Sequence, residues 1–144
     1  MPSSTCGPSG ASRKVRVLIA DDHELIRVGL ARLVSSQPDL TVVGMAADGQ
    51  EAVLISALEH PDVVVMDLSM PLLDGVGATR EIASVSPGSK VLVLSSYVER
   101  SVIASAVAAG ACGYLVKDVS ALEVLEAVRR THRGEAVFSA GVRP

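Results

Sequence analysis

Four short apolar runs each end at polar residues: VRVLIA at Asp21-Asp22, DVVVM at Asp67, KVLVL at Ser95 and GYLV at Lys117. Continuous rather than alternating hydrophobicity of this kind marks strands buried on both faces, as in a parallel sheet. The pattern predicts strands over 15–20, 63–66, 91–94 and 113–116, with a further β-branched strand over 41–45. Between them the period changes to that of a helix. Ile26, Leu30 and Leu33 fall on one face of a helix over 24–35, and Asp48 is placed to cap a helix over 50–59 that stops before Pro61. A helix over 76–85 is closed by Pro87-Gly88, and an Ala-rich helix over 99–109 by Gly110. The last helix opens on Ser120 and Glu123, the spacing of a capping box, followed by Leu122, Leu125 and Val128.

Five β-α units in strict alternation predict an α/β domain: a five-stranded parallel sheet, doubly wound, with right-handed crossovers and helices on both faces. In such sheets ligands bind beyond the carboxyl ends of the strands. That is where Asp21, Asp22, Asp67, Ser95 and Lys117 converge. Three carboxylates, a hydroxyl and an ammonium make a poor core but suit a divalent cation and a phosphoryl group.

Composition narrows the function classes. The 144 residues amount to one domain, and Tyr97, Tyr114 and Phe138 are the only aromatic side chains, too few for base-stacking platforms. A formal charge of −3 removes the electrostatic footprint of a DNA-binding surface. Cys6 and Cys112 form no metal or disulfide pattern, which fits a reducing cytoplasm. No apolar stretch approaches the roughly 18 residues of a membrane span. Residues 1–14, rich in Ser, Gly and Pro, read as a disordered tail without a secretory signal; 15–134 read as the folded domain. Residues 135–144 read as the start of a linker.

Taken together, DDHELIRVGL from Asp21, VVVMDLSMPLLDG ending at Gly75, VLVLSS around Ser95 and GACGYLVKD ending at Asp118 resemble the receiver domains of bacterial two-component response regulators. The resemblance covers about residues 15–134 and is strongest to the NarL/FixJ group, whose full-length members carry a LuxR-type helix-turn-helix. It implies the flavodoxin-like (βα)5 receiver fold with strand order 2-1-3-4-5. It also implies a signalling phosphoacceptor that catalyses only its own phosphorylation and dephosphorylation. The implied partners are a sensor histidine kinase and, once phosphorylated, a second copy of the chain; the sequence does not select the dimer face, with helix four to helix five and helix one with helix five both open. DNA would be reached only through a C-terminal domain absent from this sequence, for which 135–144 would be the connection.

Residue by residue, Asp67 matches the family's phosphoacceptor. Acids at neighbouring strand ends, about 4.8 Å apart, repel strongly: two charges about 4 Å apart cost about 4 kcal/mol at an effective dielectric near 20. Magnesium, or manganese in its place, suits the oxygen ligands of Asp22, Asp67 and the Ser69 carbonyl, with Asp21 acting through a bound water. Lys117 can pair with Asp67 or with a phosphoryl oxygen, and Ser95 can donate its hydroxyl to the latter. Taken singly, each has an ordinary reading as a helix cap, a surface lysine or a turn residue. Tyr114 matches the switch aromatic, whose ring moves between exposed and inward positions; on its own it reads as core. Met70 and Pro71 would shape the loop after Asp67, and Gly75 would allow a sharp turn before helix three. His23 reads as a helix-start residue beside the acidic pocket. An aspartate-nucleophile phosphatase of the haloacid-dehalogenase type is the enzyme alternative, but it needs an acid where this chain has Ser69. A receiver-like interaction module working without phosphorylation is the third reading.

Overall fold

The computed structural model describes residues 13–139. Most of the segment read as a tail, and residues 140–144 of the segment read as a linker, lie outside the described residues. The described chain alternates β1 (Val15–Ala20), α1 (Glu24–Ser35), β2 (Leu40–Ala46), α2 (Gly49–Glu59), β3 (Val63–Met66), α3 (Gly75–Val85), β4 (Lys90–Ser95), α4 (Arg100–Ala109), β5 (Gly113–Val116) and α5 (Ala121–His132), then adds β6 (Val137–Phe138). The sheet is parallel throughout, in the order β2-β1-β3-β4-β5-β6. The 2-1-3-4-5 order is as the resemblance implied; the sixth strand was not expected.

The continuous apolar runs explain the two-sided core. One face of the sheet, carrying Leu18, Val64, Met66, Val93 and Tyr114, is covered by Ala52 of α2, Ala78 and Ile82 of α3, and Ile103 and Ala106 of α4. The other face, with Val17, Ile19, Val65, Leu92 and Leu115, packs against Val34 of α1 and Leu125 and Val128 of α5. Ile26 was expected on the inward stripe of α1; it is exposed, and the stripe runs instead through Leu30, Leu33 and Val34. Ile26 lies in the first turn of α1, where the neighbouring Glu24 and Leu25 are exposed as well.

Local signals set the helix ends. The Asp48 carboxylate accepts from Glu51 N–H at 2.8 Å, and Ser120 and Glu123 form the reciprocal capping box. His60 closes α2 in the left-handed region at φ 46°. Arg129 of α5 clamps the α1–β2 connection with two bonds to the Asp39 carboxylate, at 2.8 and 3.0 Å, and a third to Gln37 at 2.9 Å. The Arg129 hydrogen bond holds the Asp39 carboxyl below its ordinary value. A carboxyl lowered by folding stabilises the fold above its unfolded pKa, and that contribution disappears as pH falls through the lower, folded value. Because the pair is half-exposed, the loss is expected to stay below about 1 kcal/mol. Denaturant melts of wild type and Asp39→Asn should therefore differ at pH 7 and converge in strong acid.

The sixth strand has a physical reason. Without it β5 would be an edge, with open N–H and C=O groups along the strand that carries Tyr114. Gly134, at φ 88°, turns the chain out of α5, and Val137 and Phe138 then pair with Gly113 and Tyr114. Ser139 extends the attachment: its N–H donates to the Tyr114 carbonyl at 3.0 Å, and its hydroxyl oxygen accepts from Val116 N–H at 2.9 Å. Part of the segment read as a linker is thus a strand.

Candidate functional site

The backbone ladder carries Asp21, Asp67 and Lys117 one step past their strands, while Ser95 is the last residue of β4. Asp21 N–H donates to the Ala46 carbonyl at 3.0 Å, Asp67 N–H to Ala20 at 2.9 Å and Lys117 N–H to Ser95 at 2.9 Å. Three side chains from three strands are thereby fixed at one end of the sheet. Lys117 Nζ lies 3.2 Å from Asp21 Oδ2 and 3.3 Å from Asp67 Oδ1, bridging two carboxylates that are nearly inaccessible to solvent. Asp21 is further held by His23 N–H, which donates to Oδ1 at 2.9 Å, and its carbonyl accepts from Arg27 at 2.8 Å. Asp22 is exposed beside it.

Electrostatics follow from this crowding. Burial raises the Asp67 carboxyl above its ordinary value; the charge on Asp21 adds to the effect and Lys117 only partly opposes it. Burial tends to lower the Lys117 ammonium, but Asp67 and Asp21 outweigh it and hold its pKa above the usual lysine value. Two buried carboxylates therefore share one ammonium with exposed Asp22 beside them, and the carboxylate set fits a hard divalent cation with oxygen ligands. Asp21, Asp22 and His23 offer ligand atoms within 4.8 Å of one another. The acidic set thus includes His23, which sequence reading placed only beside the pocket.

The loop after Asp67 is shaped differently from the expectation. Met70 is buried in the core cluster, while Ser69 and Pro71 are exposed. The left-handed turn falls on Leu72, at φ 69°, whereas Gly75 is not among the described residues with positive φ. Glycine is needed at 75 for space: a Cβ there would lie 2.6 Å from Leu68 Cα and closer still to the Asp67 carbonyl oxygen. Asp74 caps α3 by accepting from Gly77 N–H at 2.8 Å.

Ser95 and Tyr114 are both fully buried. Ser95 Oγ accepts from Tyr97 N–H at 3.1 Å, and Tyr114 Oη donates to the Tyr97 carbonyl at 2.9 Å. Burial pushes the Tyr114 phenol up, with the Ser95 hydroxyl acting in the opposite sense. Tyr97 was missed by sequence reasoning. Its own hydroxyl bonds Ser69 Oγ at 2.8 Å, tying the loop after β3 to the loop after β4. Its spacing two residues after Ser95, in a chain with three aromatics, was the available signal. Tyr97→Phe is expected to leave the fold within about 1 kcal/mol of wild type. Amide exchange over residues 69–73 should become several-fold faster, measured by mass spectrometry.

Residues 17–129 match the description of the response regulator receiver domain. The chain belongs to that family. Response regulator protein VraR of Staphylococcus aureus is 43% identical over 124 residues, covering 86% of this chain and 59% of the relative. The receiver thus spans about three fifths of the length of the curated relatives it matches. Among solved structures, the signal receiver domain of the putative response regulator NarL from Mycobacterium tuberculosis superposes with a TM-score of 0.82 at 35% identity, covering 85% of this chain and 99% of that one. A LuxR-family two-component response regulator from Aurantimonas sp. gives 0.82 at 32%, covering 88% and 90%. Receivers of this kind bind magnesium at an acidic pocket, here the one around Asp21 and Asp22. Domains of this family are the receiver domains of two-component response regulators. No helix among the described residues is long and apolar enough to cross a membrane.

Proposed function

We propose that this receiver takes a phosphoryl group from the phosphohistidine of a sensor kinase onto Asp67 and converts that event into a change at Ser95 and Tyr114. The carrying observation is the Lys117 bridge between Asp21 and Asp67: one ammonium serves two buried carboxylates, the nucleophile among them, and exposed Asp22 adds a third negative charge beside them. An Asp67 oxygen attacks phosphorus as the P–N bond breaks; the electron pair of that bond stays on the ring nitrogen, and the imidazole leaves neutral because its other nitrogen already carries a proton. Lys117 follows the transferred group, passing from the Asp67 carboxylate to a phosphoryl oxygen. Ser95 donates its hydroxyl to the same group. The Ser69 carbonyl, Asp22 and Asp67 would hold a divalent metal, magnesium or manganese, and Asp21 would act on it through water. The bound metal supplies neutralisation of charge on the transferring oxygens. Met70, Pro71 and Gly75 keep the loop in register.

The receiver catalyses its own phosphorylation and dephosphorylation, works in the cytoplasm, and pairs with a second copy when phosphorylated. Its output is transcription through a helix-turn-helix domain outside this chain, as the greater length of its relatives supports. The test is intact mass after incubation with acetyl phosphate. A labile adduct is expected in wild type with magnesium and in neither Asp67→Asn nor a magnesium-free sample. An adduct that survives Asp67→Asn would overturn the assignment.

A further inference from the structure

In a sheet that ends at β5, an aromatic ring on that strand has open space beyond the edge and can swing outward into it. Here that space is taken. Phe138 stands directly opposite Tyr114 in the parallel β5–β6 pair, so both side chains project to the same face, and Phe138 packs against the same core cluster as Tyr114. Inward, toward β4, the Tyr114 hydroxyl is already committed to the Tyr97 carbonyl. Three features seat β6: the Ser139 N–H donating to the Tyr114 carbonyl, the Ser139 side-chain hydroxyl oxygen accepting from Val116 N–H, and Gly113. A Cβ at Gly113 would lie 2.6 Å from the Val137 carbonyl oxygen, so the close approach of β6 depends on that residue having no side chain.

We infer that Val137–Ser139 is a strap that holds Tyr114 inward, with Phe138 filling the place an outward ring would need. The inference rests on Tyr114 being the switch aromatic of the site proposed above. The inward ring then does not wait for phosphorylation; it is set by the chain that follows α5. Any movement of that chain, such as the rearrangement of an attached domain, acts on Tyr114 through Phe138. By linkage, whatever releases the strap also weakens binding of the phosphoryl group that the inward state favours.

The test is fluorine NMR of the full chain carrying 3-fluorotyrosine, with the Tyr114 resonance assigned by its absence in Tyr114→Phe. Wild type without phosphodonor should show one buried Tyr114 resonance. Phe138→Ala should add a second, solvent-exposed one, and Phe138→Leu should restore the single line. If the outward state reaches between two thirds and nine tenths of the population, affinity for beryllofluoride with magnesium falls about threefold to tenfold in Phe138→Ala. An exposed resonance already present in wild type, or an unchanged single line in a folded Phe138→Ala, overturns the strap. Should Phe138→Ala not fold, Ser139→Ala, which removes only the bond to Val116, is read against the same two outcomes. If beryllofluoride binds none of the variants, the Asp67 assignment fails, while the tyrosine spectra of the unliganded protein still decide the strap.

Discussion

Asp67→Asn should abolish the phosphoryl adduct and at the same time make the metal-free protein more stable. The Asp67 carboxylate is buried beside Asp21, and its pKa is raised by folding. An acid raised in this way is ionised at a cost in the native state. That cost is fully present above the folded pKa and vanishes once pH has fallen below the unfolded value. Asparagine keeps the shape and removes the charge, leaving Lys117 paired with Asp21 at 3.2 Å. The gain at pH 7 should be about 1 kcal/mol, equivalent to a rise of roughly 3–5 °C in Tm. Two further outcomes separate this from a general packing effect. Magnesium should stabilise wild type more than the variant, because it relieves the repulsion that asparagine has already removed. The two proteins should also converge as pH falls through the carboxylate range. A variant no more stable than wild type at pH 7 without magnesium would mean that Lys117 alone balances the pocket. By contrast, Lys117→Ala should lower stability, since it leaves two buried carboxylates without their shared cation.

The elements that were legible are those in which one residue type has one physical use. Uninterrupted Val and Leu runs allow only strands covered on both sides, so β1, β3, β4 and β5 are read directly, and the polar residues just past their ends follow from the ladder. Caps were equally readable, as Asp48 and the Ser120–Glu123 pair show. Strand β6 was not, because Val137-Phe138 is two residues long, too short for a period, and is held by pairing to β5 rather than by its own pattern. The Tyr97 contacts were hidden for a related reason: its bonds to Ser69 and Tyr114 join segments 28 and 17 residues away, and only the folded loops bring them together. The reading of Gly75 had the right residue and the wrong cause. Its freedom in φ is unused; what matters is the strand end against which its Cα lies.

That cause makes Gly75→Ala the most damaging small substitution expected near the site. The added methyl meets the Asp67 carbonyl oxygen, the Asp67 carbonyl carbon at 3.0 Å and Leu68 Cα, all backbone, so no side-chain rotation can relieve it. The start of α3 must instead retreat from the end of β3, straining the 3.0 Å bond from Gly75 N–H to the Leu68 carbonyl. Overpacking of this kind costs about 1–3 kcal/mol. Because the displaced backbone is that of the nucleophile itself, the larger effect is chemical: a shift of about 1 Å in a reacting group costs about a hundredfold in rate. Gly29→Ala is the matched control, since nothing lies within 4 Å of the added methyl and it sits inside α1. It should stabilise by about 0.5–1 kcal/mol with adduct formation unchanged. Thermal melts and adduct rates on the two variants separate crowding at the β3–α3 junction from any general intolerance of alanine for glycine. Equal adduct rates in Gly75→Ala and wild type would show that α3 can withdraw without moving Asp67, and that the junction is looser than its packing implies.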